Sequence, residues 1–103
     1  MFRGSTPTHT YVFSEKISDL ANVQITYAQQ DAVKIVKYLA DCTIVDPNTL
    51  TVKLTQQETL SLSSNFRVEI QVKALSNEGE VLLSDIIYES ARKCLNDEVI
   101  QWN

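Results

Sequence analysis

The chain has 103 residues, a formal net charge of −4 and 44% hydrophobic residues. This length suits one domain with a modest core, and the composition excludes wholesale disorder. An acidic chain without a run of Lys or Arg lacks the basic face that neutralises phosphates, so we expect no nucleic-acid partner. No apolar run approaches the roughly 20 residues that span a bilayer, so we expect no membrane partner. Residues 1–7 lack the apolar core of a signal peptide, which predicts synthesis in the cytosol.

Short runs of alternating polarity follow a polar beginning. Residues 1–8 are predicted to form an extended arm, because Pro7 has no amide donor and disfavours helix before it. The segment 32–39 fits a strand or a helix, and we favour a strand because Val33, Ile35 and Val36 are β-branched. Alternation also predicts strands over 9–13, 23–30, 42–45 and 49–55.

One short helical turn is predicted after these strands. Thr55 is followed three residues later by Glu58, the spacing of a capping box in which each side chain accepts the other's backbone amide. Leu60 and Leu62 then predict a return to strand spacing before a turn at 63–65.

The clearest strand covers residues 66–75. Its apolar face is predicted to consist of Phe66, Val68, Ile70, Val72 and Ala74. Gly79 can adopt positive φ in a hairpin loop, which would return the chain beside this strand. We predict strand over 81–95, bulged near Asp85. A helix over 84–95 stays open, because Ile87, Ala91 and Cys94 recur at helical spacing.

These elements predict an all-β fold. About seven short strands, separated by turns and without a βαβ rhythm, indicate an immunoglobulin-like antiparallel β-sandwich with an extended N-terminal arm. We predict one domain over 1–103, with the arm at 1–8 and a C-terminal tail at 96–103.

Groups for catalysis do not converge in the sequence. His9 is the only imidazole, and its position at the start of a strand is more typical of a loop or cap residue. Glu78 and Glu80 flank a hairpin glycine and indicate a solvated acidic loop. Cys42 and Cys94 lack the spacing of a zinc site, and a disulfide between them is disfavoured in a reducing compartment. We therefore predict no enzyme, no cofactor and no metal.

The arm and the tail are the segments where we expect contacts with other subunits. Arms and apolar tails suit docking, and exposed sheet edges can be paired by neighbouring chains. The predicted interface residues are Arg3, Pro7, His9, Tyr11, Ile100 and Trp102.

Three stretches resemble a known group of proteins: RGSTPTHT at 3–10, ITYAQ at 25–29 and LTQQETL at 54–60, with the Gln71-containing strand after them. They resemble small phage and prophage structural proteins of gut anaerobes, including β-sandwich modules of baseplates, head fibres and decoration proteins. The resemblance implies a non-enzymatic virion component, made in the bacterial host cytoplasm, that packs against other virion proteins or copies of itself. The competing hypothesis is a free cytosolic β-sandwich that binds carbohydrate or peptide.

Overall fold

A computed structural model describes residues 1–101 of the chain. Within that range the chain forms eight strands, two 3₁₀ turns (Ile17–Asp19 and Leu39–Asp41) and one short helix, α1 (Gln56–Leu60). The strands are β1 (Thr8–Val12), β2 (Leu20–Gln29), β3 (Ala32–Tyr38), β4 (Cys42–Asp46), β5 (Thr49–Lys53), β6 (Val68–Ser76), β7 (Val81–Leu83) and β8 (Ile87–Glu89).

The strands lie in two antiparallel sheets. One has the order β1-β5-β4, and the other has the order β3-β2-β6-β7, with β8 also paired to β6. The apolar faces of both sheets meet in one core, which confirms the predicted all-β, two-layer arrangement. The buried core side chains include Val23, Ile25, Tyr27, Leu50, Val52, Val68 and Ile70.

The central strand β6 has the predicted alternation. Its inward residues include Ile70, opposite Tyr27, and Val72, opposite Ile25 on β2. The inward position predicted for Phe66 is wrong: β6 begins at Val68, and Phe66 is 41% exposed. The cause is the buried Gln29 side chain, whose amide donates to the carbonyls of Ser63 and Phe66 at 2.7 and 2.9 Å and fixes this segment as a turn.

The capping box is confirmed. The Glu58 amide donates to the Thr55 hydroxyl at 3.1 Å, and the Thr55 amide donates to the Glu58 carboxylate at 2.8 Å. The return to strand spacing at Leu60 and Leu62 is wrong. Leu60 ends α1, and Leu62 lies buried in the turn after it, because the capping box sets a helical turn that carries both residues.

The strand predicted over 32–39 is confirmed as β3, which ends at Tyr38, and the return segment after Gly79 is a strand with a break. The helix over 84–95 is wrong, and so is strand beyond Glu89. Ser84 causes the break, because its hydroxyl accepts the Val72 amide at 2.9 Å and donates to the Asp85 carbonyl at 2.9 Å. β7 and β8 pair with different parts of the same side of β6 and therefore occupy one strand position. The eight strand segments thus correspond to seven positions in the two sheets.

Candidate functional site

The N-terminal arm contacts its own domain. Phe2 makes a parallel bridge to Arg92, and the Pro7 carbonyl accepts the Leu54 amide at 3.0 Å. The Arg3 guanidinium donates to the carbonyls of Leu60, the last residue of α1, and of Leu62, and it pairs with Asp97 at 3.1 Å. Arg3 and Pro7 therefore attach the arm to the sandwich. The prediction that they form an interface with another subunit stays a prediction.

His9 and Tyr11 on β1 meet Tyr27 of β2 between the sheets. His9 Nδ1 lies 2.7 Å from the Tyr27 hydroxyl, and the Tyr11 hydroxyl lies 2.9 Å from the same group. His9 Nε2 is 3.6 Å from the Glu89 carboxylate, which also accepts the Met1 amino group at 3.0 Å. This polar network joins β1 to β2 in the opposite sheet and to β8.

Burial controls the protonation of the network. Desolvation lowers the pKa of His9 and outweighs the opposite effect of Glu89. Desolvation also raises the pKa of Tyr11 and of Tyr27 above the ordinary phenol value. The neutral forms of all three side chains are therefore favoured near neutral pH. A set of neutral rings that donate to one another suits the attachment of the two sheets.

The tail candidates lie at the end of the described chain. Ile100 exchanges two hydrogen bonds with the Gln56 side chain of α1, at 2.9 Å through its amide and 3.1 Å through its carbonyl. Its own side chain is 80% exposed. Trp102 lies outside the described residues.

Within residues 1–101, one edge of the larger sheet has no strand paired to its outer side. We call residues 81–89 the open edge: within residues 1–101, β6 is the strand to which both β7 and β8 pair. Ser84 donates its amide to the Val72 carbonyl, and the Glu80 carbonyl accepts the Ser76 amide, so the two residues that flank β7 direct backbone groups toward β6. Backbone groups alternate between sides, so those of Val81 and Leu83 point away from β6. The exposed apolar side chains of the open edge are Val81, Leu82, Leu83, Ile86, Ile87 and Tyr88.

A groove of about 410 Å³ lies between the open edge and β1. We call it the edge groove. Its floor includes Val72 and Ala74 of β6, and its far wall runs from Tyr11 to Glu15. Asn48 fixes that wall by donating to the carbonyls of Phe13 and Glu15 at 3.1 and 2.9 Å. The edge groove is thus bordered by one edge strand from each sheet and reaches the core between them.

The edge groove continues into a second cavity of about 410 Å³ that shares Glu15 and Leu82 with it. This cavity lies where the β6–β7 hairpin approaches the segment after β1. Its lining contains four carboxylates and no Lys or Arg, and we call these carboxylates the acidic end: Glu15, Asp19, Glu78 and Glu80.

No group of three or more potential metal ligands occurs among residues 1–101. No helix in this part of the chain is long and apolar enough to cross a membrane. Cys42 and Cys94 are free thiols, and burial raises the pKa of Cys42.

Comparison with known proteins identifies a structural neighbour. No family model and no curated protein matches the chain. The immunoglobulin-like domain of mouse leukocyte-associated immunoglobulin-like receptor 1, solved as a strand-swapped dimer, superposes with a TM-score of 0.55 at 10% sequence identity. The match covers 90% of this chain and 85% of the receptor domain. The predicted fold is confirmed. It is an immunoglobulin-like sandwich.

Sequence reasoning missed the open edge. The prediction of one strand over 81–95 beside β6 does not specify whether another strand pairs with its far side. A usable signal is present: Val81, Leu82 and Leu83 are consecutive apolar residues, whereas a strand with one solvated face alternates. Such a run, which begins two residues after a hairpin glycine, indicates a strand with apolar residues on both faces.

Proposed function

We propose that this chain is a non-enzymatic structural module that docks on a neighbouring protein subunit through its open edge. The partner is a second copy or another virion protein, in the virion setting that the sequence resemblance implies. The mechanism is packing and strand addition, in which backbone hydrogen bonds supply affinity and side-chain pockets supply specificity.

The exposed apolar run of β7 carries the proposal. Leu83 is 59% exposed and Val81 is 57% exposed, on a strand whose outward backbone groups have no strand partner within residues 1–101. Natural sheets usually protect such edges with charges, bulges or covering segments, since an unprotected edge pairs with other chains. An unprotected edge is consistent with a surface that becomes covered in an assembly.

The structural neighbour supports self-association as one form of this docking. That receptor domain was solved as a strand-swapped dimer, so a sandwich with this architecture can exchange strands between copies. The resemblance to phage structural proteins supports the virion setting. Neither observation depends on catalytic groups.

Sedimentation velocity of the full chain over a wide concentration range tests the proposal. We expect the sedimentation coefficient of the wild type to rise with concentration, because the open edge pairs between copies. Leu83→Lys places a charge on that edge and should keep the chain monomeric. The matched control Val33→Lys, at an exposed site on the opposite edge, should sediment like the wild type.

The second candidate is the free cytosolic module for carbohydrate or peptide. The edge groove favours it, because Tyr11 and Phe13 line a cavity large enough for a small ligand. A chain that stays monomeric at every concentration and binds a glycan equally well with Leu83→Lys would overturn the structural proposal and support this one.

A further inference from the structure

We propose that the preferred occupant of the open edge is an extended segment of another protein, apolar at alternate positions and ending in Lys or Arg. This inference rests on the proposed function and names the chemistry of the partner. It follows from the geometry of the edge groove and from the charge at one end of it.

The apolar side chains of the proposed partner follow from the structure of β7 and from the floor of the edge groove. Val81 and Leu83 present outward backbone groups, so an added strand gains hydrogen bonds from both. Leu82 lies opposite Ala74, an inward residue of β6, and both line the edge groove. An alternate side chain of the added strand can therefore enter between the sheets and contact apolar atoms. A polar side chain there would lose its hydration without gaining a partner.

The Lys or Arg at the end of the proposed partner follows from the charge of the acidic end. The salt bridges within residues 1–101 use Glu89, Asp97 and Glu58 as their acids, so none neutralises the acidic end. Glu15 lines both cavities, which places a carboxylate where the groove enters the acidic end. A segment lying along β7 toward the hairpin reaches these carboxylates with its last residues. Lys or Arg at that end is attracted, and Asp or Glu is repelled.

A second copy fits this surface less well. If two β7 strands paired about a twofold axis with Val81 opposite Leu83, Glu80 of one copy would lie opposite Ser84 of the other. Asp85 follows Ser84 directly, so carboxylates of the two copies would approach each other. Self-association through the open edge should therefore be weaker than docking of a basic-ended strand.

Peptide binding to the full chain tests the inference. The probes are short, capped, fluorescein-labelled peptides of alternating valine and threonine, one ending in a lysine pair and one ending in a glutamate pair. Each is made with the charged pair at either terminus, which covers both strand directions. Fluorescence anisotropy should give a Kd about tenfold lower for the lysine-ended peptide in the better direction, and added salt should reduce the difference.

Glu→Lys variants show which carboxylates cause the preference for the lysine-ended peptide. The double variant Glu78→Lys/Glu80→Lys should abolish the preference, because its two Lys residues balance the two remaining carboxylates of the acidic end. The control Glu98→Lys makes half of this charge change in the tail, outside the acidic end, and should keep the wild-type preference. Equal affinities for both peptides, or a preference that the double variant leaves unchanged, would overturn the inference.

The peptide measurements distinguish a failure of this inference from a failure of the proposed function. If the wild type binds the lysine-ended and glutamate-ended peptides equally well and Leu83→Lys abolishes binding of both, the open edge docks strands. In that case the proposed function stands, and the inference of a basic-ended partner is wrong. If the wild type binds neither peptide and does not self-associate, both proposals are wrong.

Discussion

The two edges of the larger sheet are built differently. On the β3 edge, the pairing with β2 shifts register between Tyr27 and Ala28, and this shift leaves Lys34 as an extra residue. A bulge and a lysine are two of the devices by which natural sheets prevent edge pairing. The open edge has a break at Ser84, but the residues on both sides of the break are apolar and exposed.

The attachment of the edges also differs. β3 buries Ile35 in the core and pairs Lys37 with Glu58 of α1 at 2.8 Å. β8 buries no large side chain, and its Ile87 is 48% exposed. One edge thus belongs to the stable sandwich and is protected from pairing. The other contributes little to the core and offers its backbone and apolar surface to a partner, which is the difference expected between scaffold and docking surface.

The largest predicted effect concerns the core contribution of each edge. Ile35→Ala should lower the free energy of unfolding by about 2 to 4 kcal/mol, because it leaves a cavity opposite Tyr27. Ile87→Ala removes a half-exposed side chain of the open edge and should cost less than about 1 kcal/mol. Urea denaturation measures both. Equal losses of unfolding free energy in the two variants would contradict the assignment of β3 to the scaffold.

A smaller effect is predicted for the cap of the helix that supports β3. Thr55→Ala removes the hydroxyl that accepts the Glu58 amide, which should cost about 1 kcal/mol of unfolding free energy. The control Thr43→Ala changes an exposed strand residue and should stay within about 0.5 kcal/mol of the wild type. A variant at Thr55 that matches this control would show that α1 is not stabilised by its capping box.

The pH dependence should separate the attachments of the two edges. Burial of Glu58 opposes its ionisation, but hydrogen bonds from Lys37 and Thr55 more than offset this and lower its pKa below 4.5. A carboxyl with a lowered folded-state pKa contributes stability above its unfolded pKa and loses it as the pH falls through the folded value. Stability supplied by Glu58 to the β3 edge should therefore decline only in acid, and Glu58→Gln should remove that decline.

On the β8 side, burial lowers the pKa of His9 below 6.5. The unfolded chain then binds a proton at a higher pH than the folded chain, so this contribution to stability is present above 6.5 and is lost as the pH falls through the folded value. Urea denaturation at a series of pH values should show a decline that begins near pH 6.5, well before the decline due to Glu58. His9→Gln should abolish that early decline, and an unchanged profile would contradict the role of burial.

Much of the scaffold is predictable from sequence, because the alternation of polar and apolar residues within a segment identifies a strand and its buried face. β6 shows this, since Ile70 and Val72 face the core as their spacing requires. The capping box at Thr55 is also a local pattern. The turn at Phe66 is not, because its geometry comes from Gln29, more than thirty residues away in sequence.

The candidate site was less predictable. The residues of the open edge were recognised as a strand, but whether a strand lies at an edge depends on the order of all strands in the sheet. The acidic end likewise depends on the approach of Glu15 to the hairpin that carries Glu80. The polar network of His9 depends on contact between the two sheets. Each of these features is a product of topology, which residue spacing does not specify.

Amide hydrogen exchange tests the central claim most directly. In the dilute chain, the outward amides of Val81 and Leu83 should exchange rapidly. At high protein concentration, or with the lysine-ended peptide bound, exchange at both should slow, while exchange along β3 should not change. Unchanged exchange at Val81 and Leu83 in the associated state, or slowing along β3 instead, would contradict the assignment of the open edge as the docking surface.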